Sequence, residues 1–223
     1  MLAGADAAGR PVVVTVLILL NVVAFVVTAI AAHSITNNSD SYLFDLLGLW
    51  PPRIAAGAWW QLVTSGFLHY GPIHIAMNMI TLWIVGRDLE PLLGRARFTA
   101  VYFLSLLGGS VSVFVFGNPD TLVAGASGAI FGLMGGVLVA ALRFKLNPSS
   151  IIGLIVINVA LSAAIPGISL LGHLGGLVVG AATTAGFVYA PVHRRLTWQV
   201  GTAVAVFAVL ICLVVVRTAA LTG

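Results

Sequence analysis

Gly125-Ala126-Ser127-Gly128-Ala129-Ile130-Phe131-Gly132 opens an apolar run that continues to Leu142. A serine stands there between small residues, at the head of one of many such runs. Hydrophobic residues make up 60% of the 223 and charged residues 7%, against about 25% charged in a soluble domain. The chain therefore reads as an all-α polytopic membrane protein, one membrane domain over residues 1-223 with no room for a sizeable soluble part. A net charge of +4 with no basic run longer than two residues excludes a nucleic-acid binder. The one cysteine, Cys212, excludes an internal disulfide framework and a cysteine metal cluster. It is expected as a buried small apolar residue.

Working outward from residues 127-142, runs of similar kind flank it on both sides. A membrane span needs roughly 20 residues. Residues 1-10 form a polar start, and residues 11-32 a first helix. That run exceeds the 7–15 residues of a signal-peptide core, so it reads as a retained span. Residues 33-71 are an outer loop, polar and then aromatic, with Pro51-Pro52 breaking any continuous helix. Its tryptophans prefer the membrane boundary. A second helix is predicted over 72-86, a charged turn over 87-97 and a third helix over 98-116. Beyond the central run, a fifth helix covers 149-165 and a sixth 168-190. Residues 11-190 form a six-helix core, and 196-216 an additional seventh helix.

Lysine and arginine set the orientation. With the N-terminus inside, the inner segments hold Arg10, Arg87, Arg95, Arg97, Arg143, Lys145, Arg194 and Arg195, and the outer ones hold Arg53 and Arg217. This positive-inside asymmetry predicts a cytoplasmic N-terminus and an outside C-terminus, in the plasma membrane. The second, fourth and sixth helices then enter from the outer face, and their polar residues come early: His74 and Asn78, Ser127, His173. Ser127 lies 16 residues before Arg143, about 24 Å of helix, and His173 lies 21 before Arg194, about 32 Å. Both side chains fall in the outer half of the membrane.

A hydroxyl becomes a useful nucleophile when a base is within hydrogen-bond reach and oxyanion donors surround the reacting carbon. Gly128, Gly132 and Gly136 form one smooth stripe, and Gly172, Gly176 and Gly180 another, which lets two backbones approach. Ser127 and His173 stand beside the outer ends of those stripes. His74 and Asn78, spaced i, i+4, share one helix face and can donate hydrogen bonds, as can the N–H groups at the start of the fourth helix, that of Ser127 included. The competing reading of Gly-x-Ser-Gly is helix packing, and of His74 and Asn78 polar glue between helices. Asn21 and Asn158 are read as such glue. His69 is read as a residue near the site that can bind water. All six carboxylates fall outside the predicted apolar spans, and no His-Glu-x-x-His is present. A zinc protease, an aspartyl mechanism and a third, acidic triad member are thereby disfavoured, and no metal or other cofactor is implied.

Together, His74-x-x-x-Asn78, Gly125-Ala126-Ser127-Gly128-Ala129-Ile130-Phe131-Gly132 and Gly172-His173-Leu174-Gly175-Gly176 resemble the rhomboid intramembrane serine proteases. The resemblance runs from about Trp59 to Tyr189, and the seventh helix resembles the extra C-terminal span of the six-plus-one variety. It implies Ser127 as nucleophile, His173 as base, His74 and Asn78 in the oxyanion hole, and Phe131 packed on the catalytic imidazole. It also implies transmembrane proteins as substrates, cut near the outer membrane face. One position departs: Trp60 is followed by Gln61, where rhomboids often carry arginine, which bears on the stability of the outer loop. The alternatives are a non-catalytic relative that binds transmembrane helices, and a small-solute channel lined by His74 and His173.

Overall fold

The computed structural model describes residues 11–222, so the expected start over residues 1-10 lies outside the described residues. Among the described residues the regular structure is helical, apart from one bridge pairing Leu49 with Val123. The long helices are α1 (Val12–Ala31), α2 (Gly71–Leu93), α3 (Arg95–Phe116), α4 (Ser127–Arg143), α5 (Ser149–Ala164), α6 (Leu170–Val188) and α7 (Arg195–Thr222). Helices α1, α3 and α6, and the segment carrying α7, are long and apolar enough to cross a membrane, while α4 and α5 are apolar and shorter. The chain is an integral, all-α, polytopic membrane protein.

Helix α6 packs along α4 on one side and α3 on the other. Small residues set that closeness. A methyl group on Gly128 would lie 3.2 Å from the Gly172 carbonyl oxygen, and one on Gly109 of α3 would lie 2.7 Å from the same atom. One on Gly176 or Gly180 would run into the Gly128 or Gly132 carbonyl. The α3 contribution, from Gly108 and Gly109, extends the two predicted stripes to a third helix. Helix α7 docks through Gln199, which accepts from Arg97 Nε at 2.9 Å and donates to the Phe187 carbonyl at 2.9 Å. Cys212 lies on the other side of α7 and is exposed, not buried as expected, because α7 meets the bundle along one face only.

The second helix does not stop at Gly86, and residues 87–93 are not a turn. Leu82, Val85, Leu89 and Leu93 are buried at helical spacing, so one apolar face runs straight through the charged stretch. Arg87 and Asp88 point outward from it. Glu90 points inward and is 3% exposed. Its carboxylate accepts the backbone N–H groups of Val12, Val13 and Val14, each at 2.9 Å. These are orphan donors at the first turn of α1, where Pro11 offers no side-chain cap. A carboxylate thus sits inside the bundle, on a helix continuous with the second apolar span, whereas all six were expected outside the apolar spans. Its charge is balanced by the positive end of the α1 dipole. Gly94, at φ +80, then ends α2 in a conformation that favours glycine.

The Glu90 cap is expected to contribute about 3 kcal/mol, since hydrogen bonds to a charged acceptor are stronger than neutral ones and a lost cap leaves buried donors unpaired. Glu90→Ala should lower the thermal midpoint in detergent, and Glu90→Gln, which keeps an acceptor oxygen, should lower it less. Wild-type melting of the alanine variant would show that the cap carries no stability.

The connection over residues 33–71 contains short helices at Tyr42–Leu47, Pro51–Ala55 and Gln61–Thr64. Phe44, Leu49, Ile54 and Leu68 are buried beneath them. Gln61, the departing position, is fully buried at the loop's centre. Its carbonyl accepts from Trp50 N–H at 3.2 Å, and its amide donates to Leu46 O at 3.1 Å. Arg53 Nη1 donates to the Asp45 carbonyl. A neutral amide therefore braces the loop from within.

Candidate active site

Ser127 is the first residue of α4, and the local chain explains why it is presented there. The preceding strand-like segment is tied down on both sides: Leu49 and Val123 exchange backbone hydrogen bonds at 2.9 Å, and Gly125 N–H donates to Ser65 O at 3.0 Å. These bonds pair its backbone polar groups within the protein. Gly125 has φ +137, a region that L side chains rarely adopt. A methyl group on it would lie 3.0 Å from His74 Cε1 and 3.6 Å from Ser127 Oγ, in the space between them. The helix starts abruptly after this turn. Its first backbone bond joins Ile130 N–H to Ala126 O at 3.0 Å, so the earlier N–H groups, that of Ser127 included, face the helix end.

His173 comes from the first turn of α6, whose entry is capped by Ser169 accepting from Gly172 N–H at 3.1 Å. The imidazole is buried. Its Nε2 lies 2.7 Å from Ser127 Oγ. Phe131, one turn below Ser127, stacks on the ring with centroids 4.1 Å apart and planes inclined by 13°. That contact fixes the ring plane, while the backbone approach of α4 to α6 fixes its distance from the serine.

His74 and Asn78 stand across a cavity of about 720 Å³ that Ser127 and His173 also line. His74 Nδ1 accepts the Tyr70 backbone N–H at 3.1 Å. A neutral imidazole then carries its hydrogen on Nε2, which faces Gly125 and the Ser127 side of the cavity. Tyr70 stacks on His74, with planes 12° apart, and its Oη donates to Leu122 O at 2.8 Å. Asn78 donates one amide hydrogen to His74 O at 2.9 Å, which leaves the second for another acceptor. Gly128 and Gly172 line the same cavity, and Gly176 lies a turn deeper on α6. His69 is fully buried with its ring edge against His74, centroids 5.1 Å apart. Burial, with His74 alongside, holds its imidazole down to about 3, so it is neutral.

One polar contact had no counterpart in the sequence reading. His173 Nδ1 meets Ser162 Oγ at 2.6 Å. Ser162 sits in the last turn of α5, and nothing in its residue type or neighbours marks it out. Asn158, read as glue, binds only its own helix through its side chain, to Leu154 O. Among the described residues no group of three histidine, cysteine or acidic side chains is placed to hold a metal ion.

The arrangement has the parts that acyl transfer needs: a hydroxyl, a base on it, and N–H donors around the space beyond. Comparison with known proteins points the same way. Residues 56–190 match the rhomboid domain. The chain is similar to the rhomboid protease GluP of Bacillus subtilis, 40% identical over 132 residues, covering 57% of this chain and 26% of that protein. It is similar to the putative rhomboid protease YdcA of the same organism, 35% identical over 173 residues, covering 75% of this chain and 84% of that protein. RHOMBOID-like protein 4 of Arabidopsis thaliana is 33% identical over 127 residues, covering 54% of this chain and 32% of that protein.

Proposed function

The chain belongs to the rhomboid family, and from that premise we propose that it is an intramembrane serine endopeptidase working through Ser127 and His173. The observation that carries this reading is the 2.7 Å contact between Ser127 Oγ and His173 Nε2, made across 46 residues of chain and held by the Phe131 stack. The names of GluP and YdcA as proteases support it.

Ser127 Oγ attacks the scissile carbonyl carbon while His173 takes its proton. The carbonyl oxygen becomes an oxyanion, which accepts hydrogen bonds from Asn78, from His74 Nε2–H and from the Ser127 N–H. The positive end of the α4 dipole lies at the same place. His173 then passes its proton to the leaving amine, and water, deprotonated by His173, cleaves the acyl-enzyme. Gly125 matters because any side chain there would fill the space of the oxyanion.

The substrates are transmembrane proteins, and the membrane is the cell membrane, with the N-terminus cytoplasmic. Ser127 lies in the outer half. A peptide bond inside a regular helix has its carbonyl already bonded, so the substrate must unwind near the outer boundary, where glycine lowers the cost. Cleavage is expected near the outer end of a single-span substrate, at or beside a small residue. The experiment combines labelling by a serine-directed fluorophosphonate with mass spectrometry of products from a substrate whose helix is shifted stepwise in depth. Labelling at Ser127 and a cut that stays near the outer boundary are expected. Helix binding without labelling or cleavage would make this a non-catalytic helix binder. A cut near the cytoplasmic boundary would overturn the orientation.

A further inference from the structure

Ser162 is a buried polar group, 5% exposed, that the reaction above does not use. Its Oγ lies 2.6 Å from His173 Nδ1 and 2.6 Å from the Asn158 carbonyl oxygen. With the Ser127 contact, this makes a chain of three short links. A neutral imidazole has one hydrogen to place, and each hydroxyl has one. If the imidazole hydrogen is on Nδ1, Ser127 donates to Nε2, Nδ1 donates to Ser162, and Ser162 donates to the Asn158 carbonyl. Three links then hold three hydrogens.

The other tautomer fails at one link. With the hydrogen on Nε2, that nitrogen donates to Ser127, and Ser162 must donate to Nδ1. The Ser162 and Asn158 oxygens then face each other at 2.6 Å with no hydrogen between them, and two such oxygens repel. The first arrangement is the favoured one, and it is the one in which Nε2 has a lone pair ready for the Ser127 proton.

We infer that Ser162 is a positioning residue for His173: its hydroxyl, anchored on the Asn158 carbonyl, accepts the Nδ1 hydrogen and holds the ring in the base-competent tautomer and orientation. The inference rests on the reading of Ser127 and His173 as nucleophile and base. Of the described residues lining the cavity, the other titratable ones are His74 and Tyr70, and none is acidic. A serine hydroxyl therefore stands where a buried carboxylate orients the histidine of a three-residue site. The α5 helix is otherwise sparsely buried, with Ile151 its other buried residue, so Ser162 also ties α5 to the site.

The test must separate these two roles. Ser162→Ala, Ser162→Thr and Ser162→Cys are assayed as full chains on a transmembrane substrate, beside Ser127→Ala, with melting curves for each. Alanine is expected to lower kcat by about tenfold to a hundredfold, the effect of an unpaired buried donor, and to leave KM within about twofold. Threonine keeps the hydroxyl and is expected to restore most of kcat. Cysteine is a weak acceptor and should behave like alanine. A folded alanine variant with wild-type kcat overturns the inference, as does a folded threonine variant no faster than alanine. Should alanine not fold, wild-type kcat in the cysteine variant overturns it equally. Undiminished cleavage by Ser127→Ala would instead overturn the protease reading itself.

Discussion

Ser127→Ala and His173→Ala are each expected to lower cleavage of a transmembrane substrate by roughly 10⁴–10⁶-fold, and the double variant to be no worse than either. Without the hydroxyl there is no nucleophile for the imidazole to activate. Without the imidazole the hydroxyl keeps its proton and stays a poor nucleophile. Each loss removes the same step, so the two do not add. Any residual activity belongs to the N–H donors around the oxyanion, which neither change touches. Single-turnover cleavage in liposomes, with thermal melting to show that each variant is folded, measures the effect. Ser127 is half-buried at the cavity wall, so Ser127→Ala should melt close to wild type, whereas His173 is buried against Phe131 and its alanine variant should melt lower while remaining folded at the assay temperature. If the two losses multiplied in the double variant, Ser127 and His173 would not act as one unit.

The membrane class was legible because composition alone decides it. The approach of α4 to α6 was legible because glycines four residues apart leave one face of a helix bare. The residues that the structure adds share a different property: their role depends on a partner distant in sequence or across a turn. Glu90 reads as part of a polar turn until its carboxylate is seen at the start of α1, 76 to 78 residues away. The charged stretch hid an apolar face in which Leu89 and Leu93 continue the spacing of Leu82 and Val85. Gln61 looks like a missing charge, whereas its amide can both accept and donate, which a guanidinium cannot. Ser162 reaches His173 because the turn at Pro166-Gly167 folds α5 back beside α6, and no spacing rule fixes how two antiparallel helices register. Gly108 and Gly109 bear on the site only through the third side of α6, a contact that a pairwise stripe does not reveal.

Gly176→Ala is expected to have the second large effect, and on fold and chemistry together. The added methyl group would run into the Gly128 carbonyl of α4, where backbone meets backbone. A clash with a flexible side chain can be relieved by a rotamer change. A clash with a helix carbonyl needs a shift of the whole helix. Moving α6 away from α4 is resisted by α3, where Gly109 already packs closely on the Gly172 carbonyl. The cost should reach the upper end of overpacking, about 3 kcal/mol. Gly128 is next to Ser127, and Gly176 is three residues from His173, so any relief also pulls apart the 2.7 Å contact. Proton transfer tolerates little of that, and a misplacement of about 1 Å can lower the rate a hundredfold. The variant is thus expected to melt well below wild type and, at temperatures where it remains folded, to cleave and label with fluorophosphonate at least a hundredfold more slowly. Gly153→Ala on α5, where an added methyl group meets nothing within 4 Å, is the matched control and should melt no lower than wild type and label at the wild-type rate. Wild-type melting and labelling of Gly176→Ala would mean that α4 and α6 do not approach as closely as the structure places them.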